Sequence, residues 1–212
     1  MGAGEAAVVF AGTATQINDA EQLLRQEFRS LAVAREQFPM LTDWGVGDFS
    51  ETVHSLGMNY LTAIGRSIGR IAVSEFPVKL AGSQSVAGET PGFVRPDVVW
   101  WGRDSRRVEL IGEFERFEVN SAKRQVFNDK VRNLLLAHCV LDPGPRVLLL
   151  MLWAISGTQT PAPGEFQSLI RSGFRTPGGV RVAGLYPESR LIVATAIFTA
   201  AEGVVRLKEI LQ

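Results

Sequence analysis

The segment from Arg146 to Ile155, with the sequence RVLLLMLWAI, contains nine apolar residues in succession. An apolar run of this length is typical of a β-strand that is buried on both of its faces. Such a strand lies inside a sheet that has other layers packed on either side. The run therefore predicts a layered α/β or α+β fold.

Three segments, 16–38, 50–66 and 120–138, have apolar residues at the three- and four-residue spacings of amphipathic helices. A short helix at about 165–172 and a closing helix over 200–211 are also predicted. The apolar stripes of the three longer segments are Leu24, Phe28 and Leu31, then Val53, Leu56, Tyr60 and Ile64, then Phe127, Val131, Leu134 and Leu135.

Strands are predicted where β-type residues are bounded by turn residues. The first, Arg70–Leu80, changes phase near Glu75, which indicates a bulge. The Gly- and Ser-rich segment 81–92 is predicted to be a loop. The remaining predicted strands are 93–101, 108–118, 146–155, 180–186 and 190–198.

A length of 212 residues fits a single domain, 1–212. Within it we distinguish a helical N-terminal extension, 1–45, a core, 48–155, and C-terminal strands and a helix, 156–212. Lys plus Arg and Asp plus Glu are both 22, so the net charge is zero. Overall charge thus gives no argument for a nucleic-acid partner, although a local basic face remains compatible with one.

Cysteine and histidine are scarce, and this excludes some kinds of site. The chain has one cysteine, Cys139, and two histidines, His54 and His138. An intramolecular disulfide and a Cys-rich zinc site are excluded, and a His-based zinc site is poorly supplied. The N-terminus has no signal-peptide pattern, and no apolar run is long enough to span a membrane. We therefore expect a cytoplasmic protein without a membrane partner.

The acidic residues of two neighbouring predicted strands are the strongest functional signal. Asp97 follows Arg95-Pro96, and Glu113-Phe114-Glu115 lies on the next strand. The polar hexapeptide 102–107 between the strands predicts a hairpin. Ser105 is the midpoint between Asp97 and Glu113, so these two residues should lie opposite each other. Side chains alternate along a strand, so Glu115 shares the face of Glu113.

Carboxylates that face each other destabilise a sheet unless a cation or a proton compensates their charge. Oxygen ligands of this kind suit Mg²⁺ or Mn²⁺. The three residues therefore predict a metal site made of Asp97, Glu113 and Glu115. The other interpretation is that Glu113 and Glu115 line the solvent face of an amphipathic strand.

The Pro96-Asp97 pair, the triplet Glu113–Glu115 and the order of elements over about 48–155 resemble the PD-(D/E)xK nuclease superfamily. This resemblance implies the restriction-endonuclease-like fold, with a mixed central sheet flanked by helices in three layers. It also implies a Mg²⁺-dependent endonuclease that acts on DNA, with Asp97 and Glu113 as metal ligands. Two-fold dimerisation would suit cleavage of both strands.

The superfamily's usual lysine is replaced here by Glu115, in a Glu-x-Glu variant of the motif. In some members the lysine lies on the following helix, and Lys123 is the candidate for that role. Lys130 lies on the same predicted helix face and is the lesser candidate. The missing lysine leaves a second hypothesis open, in which the chain is a catalytically inactive nuclease-fold protein that binds nucleic acid or serves in assembly.

Several other polar residues have ordinary structural interpretations. Asp48 and Glu51 have the spacing of a helix cap and its returning carboxylate, which we prefer to a site role for Glu51. His54 and His138 each stand alone and are expected at the surface or at a boundary. Arg103, Arg106 and Arg107 are either a solvated turn or a contact for a phosphate backbone.

Overall fold

A computed structural model of the chain describes residues 12–80, 92–118, 121–141, 144–158 and 163–212, without the side chains of 12–19, 121–124 and 163. A seven-stranded mixed sheet lies at its centre. The strands, in spatial order, are β1 (Val46–Gly47), β11 (Val204–Leu211), β10 (Arg190–Ala201), β7 (Val147–Ile155), β6 (Val108–Arg116), β5 (Val98–Trp101) and β2 (Ile71–Ser74). β7 is parallel to its neighbours β6 and β10, and the other neighbouring pairs are antiparallel.

Helices cover both faces of this sheet, as the apolar run predicted. Alternate residues of β7 enter two separate hydrophobic clusters, with Leu149 in one and Leu148 in the other. The first cluster includes residues of α1 (Gly12–Ser30), α2 (Ala32–Gln37) and α3 (Ser50–Ser67). The second includes residues of α4 (Ser121–Val140), and partly buried residues of α5 (Gln167–Ser172) pack against it. The mixed α+β class is confirmed.

The predicted N-terminal helix is divided in two at Leu31, whose φ of 52° ends α1 before α2 begins. The buried Glu27 carboxylate stabilises this break, because it accepts hydrogen bonds from the backbone N–H groups of Val33 and Ala34 and from the Tyr60 hydroxyl. A π-helical turn, Met40–Trp44, then leads to β1.

The predicted strand 70–80 also breaks at the residue where its phase changes. Glu75 has a φ of 51°, and it separates β2 from β3 (Val78–Lys79). β3 pairs with β4 (Phe93–Val94) in a separate two-stranded sheet. The predicted loop 81–92 lies outside the described residues except for Gly92.

The predicted closing helix over 200–211 is wrong, because this segment forms β11. Glu202 and Gly203 have φ values of 54° and 77°, and Ala201 pairs directly with Val204. Two positive φ angles between paired residues form the tight turn that favours a hairpin. Val205 and Leu207 are buried with the alternation of a strand. The acid-Gly pair before two β-branched residues was the signal for this turn.

The rest of the C-terminal region follows its predicted order with changed lengths, since the strand predicted over 190–198 extends to Ala201 as β10 and an unpredicted strand precedes it. A 3₁₀ turn, Pro163–Phe166, precedes α5. The strand predicted over 180–186 is reduced to β9 (Arg181–Val182), which pairs with β8 (Phe174–Arg175). Within the described ranges, no helix combines the length and apolarity needed to cross a membrane.

His138 is a buried histidine at the junction of α4 and the segment that leads into β10. Its Nε2 lies 3.0 Å from Ser189 Oγ, and the Ser189 hydroxyl donates a hydrogen bond to Pro145 O. Because that hydroxyl proton is engaged, a neutral His138 can donate its Nε2–H to Ser189. Burial lowers the pKa of His138 to about 4. His138 was expected at the surface or at a boundary, and this expectation is wrong because the residue is fully buried.

We predict that acidification destabilises the protein through His138. The folded state disfavours the charged imidazole, so the stability present above pH 6.5 is lost as the pH falls toward 4. Between about pH 7 and pH 5 the loss should reach about 2 kcal/mol at most. Urea denaturation of wild type and His138→Asn at both pH values measures it.

His54 provides a matched control for this experiment, because its pKa is raised. His54→Asn should therefore change the pH dependence of the free energy of unfolding in the direction opposite to that of His138→Asn. An unaltered pH dependence in His138→Asn would contradict the assignment.

Candidate active site

The β5–β6 hairpin brings Asp97 and Glu113 together. Val98 pairs with Gly112, and one further step in this register places Asp97 opposite Glu113. The backbone N–H of Phe114 donates a 2.7 Å hydrogen bond to Asp97 Oδ2, which holds the carboxylate at the end of β5. The predicted hairpin is confirmed, and a bulge lies nearer its turn, between Trp100 and Trp101.

Glu113 is fully buried on the sheet face that α4 covers. Its Oε2 accepts a 2.8 Å hydrogen bond from Lys130 Nζ, and its Oε1 has no hydrogen-bond donor among the described residues. Glu115, two residues along the same face, has its Oε2 3.8 Å from Lys130 Nζ. The interpretation of Glu113 as a solvent-face residue is therefore wrong.

Lys130 reaches the carboxylates because of where α4 lies. Phe127, Val131 and Leu134 are buried against the sheet, so the side chain of Lys130 leaves the helix at the margin of that apolar face. The sequence ranked Lys123 above Lys130 for this position. The side chain of Lys123 lies outside the described residues, so its predicted role stays a prediction. Among the described side chains, Lys130 is the lysine that contacts Glu113 and Glu115.

His54, on α3, approaches the site from the opposite side of the sheet. Its Nε2 lies 3.6 Å from Asp97 Oδ1, and its ring centroid lies 6.1 Å from that of Phe114. A Cβ at Gly57 would overlap the Phe114 ring, so a glycine is needed where α3 crosses β6. This glycine, one turn after His54, was the available signal for a close helix–strand contact.

The start of α3 differs from the predicted cap. Phe49 is the cap residue and makes no side-chain hydrogen bond, while Asp48 forms a 3.1 Å ion pair with Arg116. The preferred capping interpretation of Asp48 and Glu51 is therefore wrong. Glu51 instead lines a cleft beside the acids.

This cleft has a volume of about 450 Å³, and it is lined by His54 and Lys130, which contact Asp97 and Glu113, but not by those two acids themselves. It lies between α3 and the ends of β6 and β7. Polar and charged side chains dominate its lining, which includes His54, Glu51, Glu115, Arg116 and Lys130. A ligand in the cleft would therefore meet both acids and cations.

The electrostatics of the two facing acids differ. Burial and the Asp97 charge raise the pKa of Glu113 well above its usual range. Burial also opposes ionisation of Asp97, but the nearby His54 imidazole, the Lys130 charge and the Phe114 N–H outweigh it and lower the pKa. The proximity of Asp97 in turn raises the pKa of His54, against the effect of burial. The site thus combines an ionised carboxylate with one that burial keeps protonated to higher pH.

The carboxylates of Asp97 and Glu113 face each other across the β5–β6 hairpin. Within the described part of the chain, no group of three or more His, Cys, Asp and Glu side chains is arranged to hold a metal ion. Mg²⁺ typically takes one or two carboxylates and completes its shell with water and phosphate oxygens. Two carboxylates are available here. Glu113 Oε1 has no described hydrogen-bond donor, and the Asp97 carboxylate is its neighbour.

Comparison of the chain with protein-family models, with curated proteins and with solved structures gives no match.

We predict that Lys130 and Glu113 make strongly coupled contributions to the free energy of unfolding. Lys130→Met should cost about 3–5 kcal/mol at pH 8, because a buried carboxylate loses its paired cation. The loss should shrink toward pH 5, since protonation of Glu113, whose pKa is raised, removes the unpaired charge. Urea denaturation at both pH values measures it.

The Lys130→Met/Glu113→Gln double variant completes a mutant cycle with the two single variants. We expect the double variant to be less destabilised than the sum of the singles. Additive losses would contradict the coupling.

Proposed function

We propose that the chain is a Mg²⁺- or Mn²⁺-dependent phosphodiesterase that acts on DNA. The observation that carries this proposal is the environment of the fully buried Glu113 carboxylate. One of its oxygens accepts a hydrogen bond from Lys130, and the other has no described hydrogen-bond donor. Buried polar groups are nearly always satisfied, and perturbed acids concentrate at functional sites. A ligand that enters from the adjoining cleft would satisfy this oxygen.

The arrangement of the elements supports the resemblance to the PD-(D/E)xK superfamily. The hairpin β5–β6 carries both acidic motifs, α4 follows it, and β7 then lies parallel to β6. This is the order on which the resemblance was based. We extend the proposal to the restriction-endonuclease-like fold on that ground.

Asp97 and Glu113 would hold the divalent ion, and Glu115 would lie beside them at the cleft. When bound, such an ion supplies a more acidic water and neutralises charge on a phosphate oxygen. Lys130 holds a positive charge at the cleft margin, where the carboxylates of Glu113 and Asp97 outweigh burial and raise its pKa. It would stabilise negative charge that develops on the phosphate.

A second candidate is a nuclease-fold protein without activity that binds nucleic acid or serves in assembly. It is favoured by the contacts of Lys130 with both Glu113 and Glu115, since these already compensate part of the acidic charge. In such a protein the lysine would replace the metal rather than accompany it.

We predict that Asp97→Asn and Glu113→Gln abolish calorimetric binding of Mn²⁺ and lower the rate of plasmid cleavage by about 100-fold or more, because each removes a ligand. Lys130→Met should retain metal binding but lose cleavage by a similar factor, as loss of one charge-stabilising group costs about 10²–10³ in rate. Glu165→Gln, at an exposed acid in the 3₁₀ turn, is the control and should match the wild type.

Metal binding that is unaffected by both acid substitutions would contradict the site. Metal binding by the wild type without cleavage of plasmid or of single-stranded DNA would favour the inactive protein. Lys123→Met tests the other lysine, and Glu115→Gln tests the third acid.

A further inference from the structure

The small β8–β9 hairpin holds two arginines directly opposite each other. Phe174 pairs with Val182, and the next register position pairs Arg175 with Arg181. Both arginines are exposed, while Val182 is buried beneath them. Like charges in directly opposed strand positions repel each other, so the hairpin is destabilised by its own sequence.

A third exposed arginine, Arg171, lies at the end of α5, the helix that precedes this hairpin. Arg181 Nη2 donates to Ser172 O at 3.3 Å, next to Arg171, and Arg175 Nη1 donates to Gly179 O at 2.9 Å. These acceptors are neutral carbonyls, and none of the three arginines forms an ion pair with another described residue. The local charge of +3 is therefore uncompensated by contacts within the described chain.

This cluster lies beside the helix that supplies Lys130 to the candidate active site. The guanidinium of Arg132, two residues after Lys130, stacks over the Phe174 ring at 5.8 Å. Arg132 itself is paired with Asp129, so it attaches the hairpin to α4 without adding free charge. The Cys139 thiol also contacts Ala183 O, just beyond β9.

The other group of exposed arginines, Arg103, Arg106 and Arg107, differs in position. It occupies the turn of the β5–β6 hairpin, whereas Asp97 precedes the opposite end of β5. Asp104 lies among these arginines, and no cross-strand arginine pair is formed there. This turn is a suitable control because its arginines are equally exposed.

We propose that Arg171, Arg175 and Arg181 form a contact surface for the phosphate backbone of nucleic acid bound at the cleft, an inference that rests on the proposed function. The guanidinium presents five N–H donors, and each of Arg175 and Arg181 uses one of them in a described hydrogen bond. The remaining donors suit the paired oxygens of phosphates. A line of phosphates would relieve the repulsion between the two facing arginines.

The test measures binding of a fluorescein-labelled DNA duplex of about 20 base pairs by anisotropy, in EDTA, between about 50 mM and 200 mM salt. The variants are Arg175→Glu and, as a control with the same change of charge, Arg103→Glu. Thermal unfolding of each variant is measured in parallel.

We expect Arg175→Glu to weaken binding at least tenfold and to reduce the magnitude of the salt slope by about 1 to 2, since each lost phosphate contact removes about 0.9. Its Tm should equal or exceed that of the wild type, because the introduced carboxylate would face Arg181 as an opposite charge. A merely structural arginine would lower the Tm instead. Arg103→Glu should change the affinity by less than about threefold.

Equal weakening in both variants, or none in Arg175→Glu, would overturn the assignment. Absence of DNA binding by the wild type would overturn it as well. Failure of the proposed function is distinguishable, since a wild type that binds DNA through Arg175 but cleaves nothing would contradict the phosphodiesterase alone.

Discussion

Burial of β7 on both faces is the constraint on which the other features depend. Because helices cover both sides of this strand, its parallel neighbour β6 is covered as well. Glu113 of β6 lies beside Leu150 of β7 in register, so its carboxylate is enclosed by apolar groups. A charged group in such a place needs a partner, and Lys130 of α4 supplies it.

The candidate site differs from another buried acid of the core. Glu27 accepts hydrogen bonds from two backbone N–H groups and from Tyr60, whereas here two acids face each other across a hairpin. The hydrogen bond from the Phe114 N–H and the proximity of His54 stabilise Asp97 as an ion. Glu113 receives no such help at Oε1, and that asymmetry is the physical basis of the metal-site proposal.

The two proposals concern two clusters of like charge, one acidic and one basic. Asp97 and Glu113 face each other where β5 begins, and the arginines Arg175 and Arg181 are clustered on a hairpin that contacts α4. Each cluster is unfavourable by itself, and each has the chemistry to bind the other kind of charge. A divalent ion suits the acids and a phosphate backbone suits the arginines, so a nucleic acid bound together with a divalent ion would compensate both.

The sequence by itself determined the apolar run of β7, the amphipathic helices and the facing of Asp97 and Glu113, because these follow from periodicity and from counting across a short hairpin. It misassigned β11, since Val204, Leu207 and Leu211 also fit helical spacing and the Glu202-Gly203 turn is a weak local signal. Only the tertiary structure decided that Lys130 contacts Glu113 and that His54 lies beside Asp97. Those contacts depend on how α3 and α4 cross the sheet, and helix crossing is set by side-chain packing between segments distant in the chain.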